Sequence, residues 1–299
     1  MSLNKTDLIK WFEDGCKPKS LFRIGTEHEK FVYKSDTLKP VSYSEASGIK
    51  NILKSLTRFG WQEVHEEGNI IALKKENQSI TLEPGGQLEL SGAPLKNIHQ
   101  TCNEVNEHLK QVKVVGDELN VGFLGVGARL EGKLPSDLWM PKPRYKIMKN
   151  YMPQVGNLGL EMMADTCTVQ VNLDYSSEED MRRKLKTSFI LQPIVTALFA
   201  SSPIENMKPS KYISRRAAIW FDVDKQRCGI PDFIFDKNLG FESWVNYALK
   251  VPMYFVRRNG KYINCAGESF EKFMLGELKN LPKEKPTILD WEDHISTIF

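Results

Sequence analysis

Cysteine, histidine clusters and long apolar runs are all scarce in this chain, and each shortage excludes something. Of its 299 residues five are cysteines, Cys16, Cys102, Cys167, Cys228 and Cys265, an odd number spread widely. No Cys-x-x-Cys occurs, so neither a disulfide framework nor a cysteine zinc site is indicated, and a reducing compartment fits. The five histidines, His28, His65, His99, His108 and His294, show no ligand spacing. With no His-Glu-x-x-His and no Gly-x-Ser-x-Gly, a zinc hydrolase is disfavoured. The longest apolar run, Phe189 to Ala200, is interrupted by Gln192-Pro193 and falls short of the roughly 20 residues that span a bilayer. Met1 to Asp7 has neither a signal-peptide apolar region nor the Arg-rich character of an organelle leader, so a cytoplasmic protein is expected.

A dominant charge is also missing. Lys plus Arg number 41 and Asp plus Glu 38, a net charge of +3 with the signs interspersed, so nothing indicates nucleic acid or a membrane surface as partner. No repeat, low-complexity tract or Pro/Gly/Ser linker divides the chain. One unit over residues 1–299 is expected. A chain of this size buries roughly 75% of its unfolded surface, and 41% hydrophobic residues suffice to fill that interior.

Helical periodicity marks Thr6 to Asp14, Tyr43 to Phe59 and Asn97 to Leu119. A further helix runs from Ser176, where Ser176-Ser177-Glu178-Glu179 reads as a capping box, toward Ala200, with a kink expected at Pro193. Strands are expected at Leu21–Tyr33, Ile70–Lys75, Ser79–Glu83, Gln87–Leu90, Val121–Val126, Cys167–Asp174 and Met253–Arg258. Their order lacks regular β-α-β alternation, which favours α+β with a largely antiparallel sheet.

Three strands carry the candidate chemistry. In Gly25-Thr26-Glu27-His28-Glu29-Lys30-Phe31, Glu27 and Glu29 share a strand face about 6.7 Å apart. Bare carboxylates at that spacing repel by roughly 2.5 kcal/mol at an effective dielectric of about 20. A bound cation reverses the sign, and magnesium takes a few carboxylates together with water and nucleotide oxygens. Taken singly, a Glu-x-Glu is more often a solvated strand face. The second segment, Thr81 to Gly92, turns at Pro84-Gly85-Gly86 and sets Glu83, Gln87 and Glu89 opposite an apolar face of Ile80, Leu82, Leu88 and Leu90. Alone it is an ordinary amphipathic hairpin. In the third, Cys167 to Tyr175, the groups Thr168, Gln170, Asn172 and Asp174 alternate with Val169, Val171 and Leu173, offering hydroxyl and amide recognition. Arg144, Arg215, Arg216 and Arg227, with Trp220, are the basic counterparts, since a guanidinium fork matches carboxylate or phosphate. Gly127 to Leu134 approaches a P-loop but has Leu134 where Ser or Thr belongs, and is assigned to loop structure.

Together, Phe22 to Phe31, Leu82-Glu83-Pro84-Gly85-Gly86-Gln87-Leu88-Glu89-Leu90-Ser91-Gly92-Ala93-Pro94 and Thr166 to Asp174 resemble the signature strands of glutamate–cysteine ligases of the plant and proteobacterial type. The likeness continues through Met152 to Met163, Asp222 to Gly229 and Val251 to Phe255. It implies a glutamine-synthetase-like fold, a curved antiparallel sheet forming a funnel with helices packed outside. It also implies an ADP-forming ligase that joins the γ-carboxyl of glutamate to cysteine through γ-glutamyl phosphate, the first step of glutathione formation, with ATP as substrate and Mg2+ as cofactor. By the same resemblance Glu27, Glu29 and Glu89 are magnesium ligands, with Glu83 and Gln170 lining the metal and nucleotide end. Arg144 and Arg216 clamp substrate carboxylates and the transferring phosphate; Thr168, Asn172, Trp220 and Arg227 complete the substrate set. Small-molecule partners and a monomer or homodimer are expected. Family members continue beyond Phe299 with a Glu-x-Arg strand, so a catalytic domain lacking its C-terminal part is expected here. A ligase for another amine, and a nucleotide- or glutamate-binding protein without turnover, stay open.

Overall fold

The computed structural model describes residues 3–135 and 138–299. In chain order its main elements are α1 (Lys5–Asp14), β1 (Ile24–Lys34), α2 (Ile49–Leu56), β2 (Gln62–Glu66), β3 (Asn69–Lys75), β4 (Gln78–Leu82), β5 (Leu88–Ser91), α3 (Ile98–Leu119), β6 (Val121–Leu124), α4 (Pro143–Tyr151), α5 (Gly159–Asp165), β7 (Val169–Leu173), α6 (Glu178–Leu198), α7 (Arg215–Trp220), α8 (Phe241–Lys250), α9 (Phe270–Leu275) and α10 (Ile288–Ile295). Short hairpins, among them Phe255–Arg258 with Lys261–Asn264, complete the described structure.

Strand alternation sorts the sheet into two faces. Leu88 and Leu90 of β5 pair in register with Lys30 and His28 of β1 and with Leu82 and Ile80 of β4, and this side is covered by α2 and α3. On α2, Ile49, Ile52, Leu53 and Leu56 are wholly buried, and Val112 and Val115 of α3 join them in one apolar core. Side chains of the intervening residues, Glu27, Glu29 and Glu89 among them, leave by the opposite face. A second core gathers Leu8 of α1, Val245 and Ala248 of α8, Phe270 and Phe273 of α9 and Trp291 of α10.

The α+β class and the antiparallel pairing agree with expectation; the funnel does not. Seven strands form the sheet in the order β2-β3-β4-β5-β1-β6, with β7 also on β1. It is open, and neither curls nor closes. The cause lies in β1, which is long enough to hold β7 along Ile24–His28 and β6 along Phe31–Lys34 on the edge opposite β5. Closure needs a ladder from β2 to β6 or β7, and among the described residues none exists.

Helix boundaries follow local chemistry. The helix expected from Tyr43 begins only at Ile49, because Ser42 and Glu45 close on each other first: Ser42 N donates to Glu45 Oε1 at 2.6 Å and Glu45 N to Ser42 Oγ at 3.3 Å. α6 starts one residue later than the expected Ser176–Glu179 box, with Ser177 as its cap and Ser177 Oγ accepting from Asp180 N at 3.1 Å, and Pro193 lies within it. The stretch from Phe189 onward behaves unlike a core: Ile190, Ile194, Leu198 and Phe199 are 56–77% exposed. No helix among the described residues is long and apolar enough to cross a membrane.

Candidate active site

Register brings the acidic strands together. Glu29 lies directly opposite Glu89 across the β1–β5 ladder, and Glu27 lies opposite Gln170 across β1–β7. Glu83 follows β4 directly and opens the turn, whose Gly86 adopts a φ of +80°. That turn has no room for a side chain at Gly85, where a Cβ atom would sit 2.2 Å from the Ala164 carbonyl oxygen. Gln87, 1% exposed, pins it further by donating from Nε2 to the carbonyls of Thr166 at 2.8 Å and Met163 at 3.2 Å.

Glu27, Glu29 and Glu89 already have neutral partners. Asn172 Nδ2 donates to Glu27 Oε1 at 2.8 Å, and Gln170 Nε2 donates to Glu27 Oε2. Thr168 N donates to Glu29 Oε2 at 3.0 Å, and Ser91 Oγ donates to Glu89 Oε1 at 2.5 Å. None of these partners supplies positive charge, so the mutual repulsion survives. Burial, with Glu83 and Glu89 adding to it, pushes the Glu29 carboxyl up to about 9. Glu83 is raised likewise by burial and by Glu89, against the pull of Lys142 and Arg144. Among the described residues no three His, Cys, Asp or Glu side chains stand together as a finished chelate.

The cations converge from two helices. Arg144 is the second residue of α4, which begins at Pro143, and Arg216 is the second of α7, capped by Ser214 Oγ accepting from Ala217 N at 3.3 Å. The Nε atoms of Arg144 and Arg216 are buried donors without an acceptor, as is Trp220 Nε1. Burial lowers the proton affinity of Arg216 while Glu29 sustains it, which places this guanidinium within the field of the carboxylates. Trp220, one turn further along α7, has its ring 5.5 Å from the Arg216 guanidinium.

Arg227 is not brought to this group. It is wholly buried, donating from Nε to Asp224 Oδ2 at 2.7 Å and from Nη1 to the Thr297 carbonyl at 3.1 Å, with its guanidinium 3.9 Å over the Tyr254 ring. Arg215 is likewise engaged by Glu161 at 3.2 Å and Glu205 at 3.1 Å. Lys142, which carried no sequence signal, does reach the site: it is 7% exposed, donates to the Leu82 carbonyl at 2.7 Å, and burial lowers it to about 8 with Glu83 opposing. Only its place beside Pro143-Arg144 hinted at this.

One sheet face thus carries carboxylates that repel one another beside arginines with unfilled donors, the charge pattern of a site for a divalent cation and an anionic ligand together. The chain matches the family model described as Glutamate-cysteine ligase family 2 (GCS2) over residues 23–299. It is 56% identical over 298 residues to glutamate–cysteine ligase A, chloroplastic, of Oryza sativa subsp. japonica, covering 99% of this chain and 60% of that one. Similar likenesses hold for the B form of the same rice, 57% identical with the same coverage, and for the chloroplastic enzyme of Nicotiana tabacum, 55% identical over 99% of this chain and 56% of the relative.

The chain belongs to glutamate–cysteine ligase family 2. It spans about 60% of the length of the rice relatives it matches. These relatives are named as chloroplastic, which overturns the cytoplasmic location expected from the first seven residues. An organelle address is read from a leader, and the composition of a folded body carries no trace of it.

Proposed function

We propose that this chain carries the ligase site of its family, activating the γ-carboxyl of glutamate with ATP for attack by the α-amine of cysteine. The observation that carries this reading is Glu29 directly opposite Glu89, with Glu29 and Glu83 raised first by burial and then by neighbouring carboxylates, beside arginine donors that lack acceptors.

These residues fit Mg2+, because carboxylates in so crowded a field gain most from a divalent ion. Glu27, Glu29, Glu83 and Glu89 would hold it. When bound, the ion neutralises charge on phosphate oxygens and orients them. Arg144 and Arg216 have the geometry to take the substrate carboxylate and the phosphoryl oxygens through their vacant Nε donors, and charge neutralisation there favours transfer to the glutamate γ-carboxylate. The resulting γ-glutamyl phosphate has a good leaving group, which the cysteine amine displaces. Thr168, Gln170 and Asn172 contact the substrates through neutral groups, leaving the charge balance undisturbed, and Trp220 offers a flat apolar wall beside Arg216.

The direct test is ADP release by the purified chain. It should require Mg2+, glutamate and cysteine together, and equal kcat/KM with another amine would remove the cysteine assignment. The lack of any finished group of three metal-ligand side chains among the described residues favours a second reading, in which the chain binds Mg-ATP without turnover. Calorimetric titration beside the turnover assay separates the two.

A further inference from the structure

Arg129 sits in the Gly127–Leu134 segment, outside the acidic strands, yet its contacts reach each of them. Its side chain is 2% exposed. Nε donates to Asp165 Oδ1 at 2.9 Å, while Nη2 donates to the carbonyl oxygens of Gly85 at 3.2 Å and Ala164 at 3.1 Å. Its backbone N–H donates to the Asp165 carbonyl at 2.9 Å, and Asp165 Oδ1 also accepts from Leu134 N at 3.0 Å. The guanidinium lies 4.6 Å from the Phe31 ring and 5.8 Å from that of Tyr33.

Each contact falls beside a site group. Phe31 follows Glu29 by two positions on β1 and points to the same face. Gly85 lies in the turn between Glu83 and Glu89, and Ala164-Asp165 closes α5 just before Thr168 and Gln170. One planar fork therefore meets the β4–β5 turn and the approach to β7 through backbone carbonyls and an ion pair, and β1 through the Phe31 and Tyr33 rings, leaving the local charge balanced.

We propose that Arg129 is a positioning residue, setting the spacing of the β1, β4–β5 and β7 groups that receive the divalent cation and its anionic ligand. This rests on the reading of Glu27, Glu29, Glu83 and Glu89 given above. A lysine at position 129 keeps a charge for Asp165 but has no fork with which to hold the Gly85 and Ala164 carbonyls as well. The turn is then released while the ion pair persists. A merely structural Arg129 would instead lower the melting temperature of Arg129→Lys and leave the folded protein's affinity for the ion unchanged.

The experiment is Mn2+ binding to the full chain with ATP present, followed by electron paramagnetic resonance, for the wild type, Arg129→Lys and the milder Asp165→Asn, each below its own melting transition. Arg129→Lys should bind Mn2+ about tenfold more weakly, the loss usual when the support of metal ligands is removed. Asp165→Asn should shift affinity in the same direction by about threefold. An unchanged affinity in folded Arg129→Lys overturns the proposal and leaves the carboxylate site standing. Should Arg129→Lys fail to fold, Asp165→Asn decides by the same criterion. A wild type that takes up no Mn2+ overturns the carboxylate reading and this proposal together.

Discussion

Glu29 shows how a single side chain trades stability against function. Its carboxyl is raised from 4.5 to about 9 by burial and by Glu83 and Glu89, so the folded state holds a proton that the unfolded chain has released. The stability linked to this group is complete below about pH 4.5 and is lost as pH rises toward 9. Removing the charge should help the fold in the absence of metal. We expect Glu29→Gln at pH 8, free of divalent ions, to melt higher than the wild type by roughly 2 °C or more, with the gap narrowing toward pH 5, and to lose Mg-ATP use; a lower melting temperature would contradict the assigned repulsion. Under the sheet's other face His108 behaves in the opposite sense. Burial, then Lys30 and His28, push it down to about 3, and both its ring nitrogens lack partners. Protonating the unfolded chain through 6.5 therefore draws the equilibrium toward unfolding, so stability falls as pH drops from about 6.5 toward 3. His108→Leu should flatten that acid limb of a melting-temperature profile; an unaltered limb would assign it to other groups.

At the scale of elements, legibility followed how local the signal was. The Glu27-x-Glu29 alternation, the Pro84-Gly85-Gly86 turn and the Gln170-x-Asn172 alternation are written in consecutive residues, and register then brings them together. The short α4 and α7 carry Arg144 and Arg216 but have too few residues for a period to emerge, so the arginines could be named and their helices could not. Arg129 and Lys142 are silent in sequence because what singles them out is burial against carbonyls distant along the chain. The closed funnel came from the family resemblance and had no signal in the strands themselves, since alternation reports faces while closure depends on which edges meet. The turn offers a test at this scale. Gly85→Ala must displace the Ala164 carbonyl, since the added Cβ would lie 2.2 Å from it, and we expect a loss of about 1–3 kcal/mol in denaturant unfolding. A neutral effect would show the turn free to slide away from α5.

Across the whole molecule, charge and apolar surface are unevenly placed. The repelling carboxylates sit on one face of an open sheet. Beyond its edge, Val169, Val171 and Leu173 of β7 are 58–66% exposed, and α6 displays Ile190, Ile194, Leu198 and Phe199. Exposed apolar surface of this kind promotes association while adding little to the fold's stability. The double change Ile194→Lys, Leu198→Lys should leave the melting temperature within about 2 °C of the wild type and shift the chain toward monomer in sedimentation velocity. A large loss of stability would show α6 to be packed.

The central claim is that the carboxylates of β1, β5 and the turn between β4 and β5 gather a divalent ion around a nucleotide, and calorimetric titration of the chain with Mg2+ at saturating ATP tests it most directly. A saturable binding event that disappears in both Glu29→Gln and Glu89→Gln, with each variant folded, is the expected result. Binding of equal strength in the wild type and in these variants would contradict it.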